Sequence, residues 1–88
     1  MPTGNVRITD PEDRQIYVNG VYTAPNPRTS PCTIAVEYGK NTFETLNAEQ
    51  KIDFRGEATT DEDHRYTRLA LDPVVPPEAT LLRPAPDD

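Results

Sequence analysis

Apolar residues in this chain come in short runs, and most recur at every second position, the period of a strand with one buried face. In Cys32-Thr33-Ile34-Ala35-Val36-Glu37-Tyr38, Cys32, Ile34, Val36 and Tyr38 fall on one side, with Thr33 and Glu37 on the other. Gly39-Lys40-Asn41 then reads as a turn, and Thr42-Phe43-Glu44-Thr45 as a returning strand. Upstream, Gln15-Ile16-Tyr17-Val18-Asn19-Gly20-Val21-Tyr22-Thr23 sets two β-rich runs around Asn19-Gly20. That dipeptide tolerates positive φ at both positions, as a two-residue hairpin turn requires. Ile16 and Val18 share one face of this hairpin, and Gln15, Tyr17 and Asn19 the other.

Residues 46–55 carry two signals. Asn47-Ala48-Glu49-Gln50 matches a helix-capping box with Gly56 placed like a helix stop. Lys51-Ile52-Asp53-Phe54-Arg55 puts Ile52 and Phe54 on one strand face instead, and turn followed by strand is the better fit. Residues 57–64, with Asp61, Glu62 and Asp63 in a row, read as an acidic loop. Arg65-Tyr66-Thr67-Arg68-Leu69-Ala70-Leu71 reads as a further strand with Leu69 and Leu71 inward. The expected core is Ile16, Val18, Ile34, Val36, Phe43, Phe54, Leu69 and Leu71.

Two proline-rich stretches frame this body. Residues 24–31 hold Pro25, Pro27 and Pro31 and read as a loop. Residues 72–88 hold Pro73, Pro76, Pro77, Pro84 and Pro86 around two apolar pairs, Val74-Val75 and Leu81-Leu82. Such a stretch predicts an extended arm rather than a packed element. The sequence therefore predicts an all-β chain: a small antiparallel β-sandwich or open barrel over residues 1–72, with a short N-terminal lead, and an extended Pro-rich C-terminal arm over residues 73–88.

Composition narrows the function. Val, Ile, Leu and Phe number 17 of 88 residues, at the border of what a folded charged chain needs. No segment approaches the roughly 18 apolar residues of a membrane span. The polar N-terminus has no apolar stretch of the kind a secretory signal carries, which predicts a chain that is not exported by that route. Cys32 stands alone, so no internal disulfide forms. The formal charge of −6 disfavours direct nucleic-acid binding, because phosphates would be repelled.

The run Ile16-Tyr17-Val18-Asn19-Gly20-Val21-Tyr22, then Ser30-Pro31-Cys32-Thr33-Ile34, then Val36-Glu37-Tyr38-Gly39-Lys40-Asn41-Thr42 resembles the PEGA type of small β-sandwich repeat over about half the chain. Asn26-Pro27-Arg28-Thr29 lengthens one loop relative to that pattern. The resemblance implies an accessory interaction domain and supplies no catalytic residue.

Nor does the residue inventory point to chemistry. Nucleophilic catalysis needs a nucleophile, a base and an orienting group. The chain has one Ser (Ser30), one Cys (Cys32) and one His (His64), the first two flanking Pro31. Ser30 and Cys32 read as structural, and His64 as a solvated turn residue. Glu57, Asp61, Glu62 and Asp63 lack the spacing and glycine of an EF-hand, and one Cys with one His cannot complete a zinc site. We therefore expect no catalytic residue, cofactor or metal. The expected partner-binding residues are Val74, Val75, Leu81 and Leu82, apolar pairs too short to form a core but able to fill a neighbour's groove.

These features together predict a non-enzymatic structural or decorating subunit, oligomeric in its context, binding neighbouring subunits through extended arms. A virion, such as a tailed-phage capsid or tail, is the expected assembly and location, with the cytoplasm as the alternative. Two other readings are an acidic inhibitor that mimics nucleic acid in a basic groove of a host protein, and a PEGA-like accessory domain of a cell-envelope system.

Overall fold

The alternating runs become strands, and most of their aliphatic members face one interior. The computed structural model describes residues 2–23 and 29–82. Its strands are β1 (Thr3–Asp10), β2 (Tyr17–Val18), β3 (Val21–Tyr22), β4 (Cys32–Glu37), β5 (Gly39–Leu46), β6 (Ile52–Thr60), β7 (Tyr66–Ala70) and β8 (Asp72–Glu78). They form a three-stranded sheet in the order β4-β1-β7 and a five-stranded sheet in the order β3-β2-β5-β6-β8. Val6, Ile8, Cys32, Ile34 and Val36 from the first sheet meet Phe43 and Ala58 from the second, with Ile16 and Leu71 from the connections, in one core. The chain is an all-β sandwich.

The hairpin forms where the sequence places it. Tyr17 pairs with Tyr22 and Val18 with Val21, and Asn19 and Gly20 hold φ of 51° and 84°. A β-branched side chain in that left-handed region clashes with its own backbone. Gly20→Val should therefore lose about 1–2 kcal/mol, seen as a lower urea midpoint with the same far-ultraviolet circular dichroism.

Of the expected core, Ile16, Ile34, Val36, Phe43 and Leu71 are buried, and Val18, Phe54 and Leu69 pack partly buried against them. Tyr38 is half-buried because the chain bends there. Tyr17, on the outer face of its sheet, is buried too, its ring 5.7 Å from that of Tyr22. Burial first, and Tyr22 second, push its phenol pKa up.

Three expectations are corrected. The expected turn at Gly39-Lys40-Asn41 is already β5, paired with residues 58–60; the chain switches sheets over Tyr38 and Gly39, whose φ is 113°. Asn41 Nδ2 donates to the carbonyls of Glu37 (3.0 Å) and Gly39 (3.3 Å), which closes the corner. The acidic loop begins later than expected: β6 runs through Thr60, with Ala58 and Thr60 buried and Glu57 and Thr59 exposed, and only residues 61–64 form the turn. The N-terminal lead, expected to run to about Val6, is shorter: β1 already begins at Thr3, with Gly4 buried ahead of the fully buried Val6 and Ile8. Within this antiparallel-rich sandwich one pair, β1 and β7, runs parallel.

Residues 47–50 make a turn, as preferred. Asn47 Oδ1 accepts from the amides of Glu49 (2.9 Å) and Lys51 (3.0 Å), so the capping-box signal serves a hairpin turn. Two glycines sit under tight contacts. A Cβ on Gly56 would lie 2.7 Å from Leu71 Cδ2, and one on Gly4 would lie 2.9 Å from Thr60 Cβ.

Candidate functional site

The C-terminal segment is partly a strand. Prolines lack the amide that a central strand donates, but an edge strand needs amides on one side only. β8 takes that position beside β6: Asp72 faces Arg55, Pro73 faces Phe54 and Glu78 faces Ile52. Residues 74–77 span the place of Asp53 alone and so bulge from the ladder. Arg55 fastens the edge, donating from Nη2 to Glu78 (2.6 Å) and from Nε to Glu44 (3.0 Å). These two carboxylates, Glu78 first, raise its already high pKa.

The four expected partner-binding residues divide into two kinds. Val75 is 85% exposed and Leu81 101%. Val74 and Leu82 are half-buried, and Leu82 Cδ2 lies 3.6 Å from where a Cβ on Gly20 would sit. The segment thus leans on its own sandwich through one member of each pair and turns the other to solvent. The last part of the expected arm, residues 83–88, and loop residues 24–28 lie outside the described residues.

Ser30, Cys32 and His64 have separate roles. Ser30 Oγ donates to the Pro11 carbonyl and accepts from the Arg14 amide (3.1 Å). Cys32 lies in the core, where burial pushes its thiol pKa up against a small opposing effect of Arg7. His64 Nδ1 sits 3.0 Å from Asp61 Oδ1 in the exposed 61–64 turn, and the same oxygen accepts from the amides of Asp63 (2.9 Å) and His64 (2.7 Å).

The His64 contact, ahead of the two amides, holds the Asp61 carboxyl below its ordinary pKa. A depressed folded pKa gives stabilisation that is present above the unfolded value, near pH 4, and lost as the pH falls through the folded value. The ¹³Cγ resonance of Asp61 should therefore titrate at lower pH than that of a free aspartate, and His64→Ala should move its midpoint upward.

Two of the surface clefts are lined by described residues. One of about 290 Å³ lies between Arg14, Tyr17, Leu46 and Gln50, but the Arg14 guanidinium there already pairs with Asp53 and the Leu46 carbonyl (3.2 Å). The other, about 230 Å³, separates the β4 edge at residues 35–37 from the hairpin at Val18, Asn19 and Thr23. Among the described residues, no group of three or more His, Cys, Asp or Glu side chains is placed to hold a metal ion. No described helix is long and apolar enough to cross a membrane.

Sequence reasoning missed the outer face of the three-stranded sheet, where Arg7, Arg68 and Tyr66 stand together. The alternation in Val6-Arg7-Ile8 and Thr67-Arg68-Leu69 turns each Arg outward, but the pairing that makes them neighbours joins strands about sixty residues apart. Comparison with protein-family models, with curated proteins and with solved structures finds no match to this chain.

Proposed function

We propose that this chain is a non-enzymatic structural subunit that binds neighbouring proteins in a larger assembly through its C-terminal segment. The exposure of Val75 and Leu81 supports this reading above all. Each belongs to an apolar pair whose other member rests half-buried, so the segment is held in place while presenting aliphatic side chains to solvent. Covering them in a neighbour's groove is favourable by roughly 25 cal/mol per Å² of apolar area removed from water. The prolines lower the ordering cost by restricting the free segment beforehand.

A virus particle, of the tailed-phage capsid or tail kind, is the assembly to which a small β-sandwich with a gripping terminal segment is physically suited; this part of the reading is by analogy of architecture. The test uses the full chain carrying Val75→Asp and Leu81→Asp together. It should fold with an unchanged melting temperature, since both side chains are solvated, and lose its place in the native assembly in co-sedimentation. Incorporation at full occupancy would overturn the proposal.

A further inference from the structure

The register of the three-stranded sheet sets a row of side chains across its outer face: Thr33 on β4 opposite Arg7 on β1, and Arg7 opposite Arg68 on β7. The next row is Ala35, Asn5 and Tyr66. Val6 and Ile8 are buried beneath β1, and Thr67 and Leu69 lie half-buried beneath β7, which fixes both arginines outward. Adjacent strands are only about 4.8 Å apart, and like charges directly opposite one another weaken the pairing.

The chain has 15 acidic residues to neutralise such a pair. Arg14, Arg55, Lys40 and Lys51 each have a carboxylate within 4 Å. Among the described residues, Arg7 and Arg68 have none. Tyr66 stands beside them, 54% exposed, two positions from Arg68 on the same face. An arginine pair with an exposed tyrosine on a rigid sheet has the composition of the centre of a protein interface.

We infer that this face binds an acidic segment of a partner protein, with a carboxylate seated between Arg7 and Arg68 and Tyr66 covering its flank. Arginine forks hold carboxylates in bidentate geometry, and one such anion relieves the repulsion that the register imposes. A continuous phosphate backbone fits the face less well. Glu37 stands exposed at the β4 corner, and Asp61, Glu62 and Asp63 fill the turn leading towards β7, so the cationic row is short and bounded by negative charge. The face lies on the sheet that does not contain β8, so it is a second surface, independent of the C-terminal segment.

Hexaglutamate peptide is the probe, titrated into the full-length chain at low ionic strength and followed by amide nuclear magnetic resonance. The amides of Arg7, Arg68 and Tyr66 should shift, and those of Lys40 and Lys51 should not. Arg7→Gln and Arg68→Gln should each weaken binding about tenfold, while Lys40→Gln leaves it unchanged. Arg68→Gln should also leave the melting temperature unchanged or higher, since it removes a repulsion. Shifts absent from this face, or the same affinity in Arg68→Gln, would overturn the inference. Tighter binding of a six-nucleotide thymidine oligomer at the same residues would overturn the assignment to a protein partner.

Discussion

Phe43→Ala should cost this protein about 3–5 kcal/mol of stability, a large share of the roughly 5–15 kcal/mol available to a small domain. Phe43 is fully buried at the middle of β5 and is the largest of the fully buried side chains. Its strand neighbours are Val18 on one side and Gly56 on the other. Gly56 has no side chain to move into the space left behind, and Leu71 and Leu69 already pack over it. The cavity would stay largely open, so the transfer and cavity costs add. Urea unfolding should show a lower midpoint with little change in slope. A loss below about 1 kcal/mol would mean that the interior can collapse around the gap, contrary to the packing described above.

Asp53→Ala should cost about 2–3 kcal/mol through a different mechanism. Asp53 Oδ1 accepts from Thr45 Oγ1 at 2.6 Å, and Oδ2 pairs with Arg14. Thr45 is fully buried, so removing the carboxylate leaves its hydroxyl without that acceptor. The Arg14 side chain is 31% exposed and keeps its bond to the Leu46 carbonyl and its place 5.8 Å from the Phe54 ring centre. Solvent therefore takes up part of the lost ion pair, which keeps the figure below that of a fully buried pair. Adding Arg14→Met to Asp53→Ala should recover part of the loss. Strict additivity in that double-mutant cycle would show that the two side chains do not act together.

Strands whose pattern was carried by large apolar residues were legible in the sequence. Ile34 and Val36 alternate with Thr33, Ala35 and Glu37, and burial follows that alternation residue by residue. β1 was missed because Gly4 and Asn5 dilute Val6 and Ile8, although a Cβ on Gly4 would crowd Thr60. The end of β6 was missed for a related reason: Ala58 and Thr60 are buried but are small or polar, so their burial leaves no hydrophobic trace. β8 was hidden by its prolines, which exclude a central strand and permit an edge. Of the residues proposed to bind partners, Val75 and Leu81 could be found as apolar residues in a segment without a core pattern. Arg7 and Arg68 could not, because their proximity depends on a parallel pairing that local sequence does not encode.

If the chain works inside a larger assembly, as proposed, sedimentation of the native chain will show it. Extract from the native source is run on a density gradient, with the purified 9.8 kDa chain as the reference. The native chain should run far down the gradient, in fixed ratio to the other proteins of one particle, and the purified Val75→Asp/Leu81→Asp chain should be excluded from that fraction. Native chain found only at the position of the free 9.8 kDa protein would contradict it.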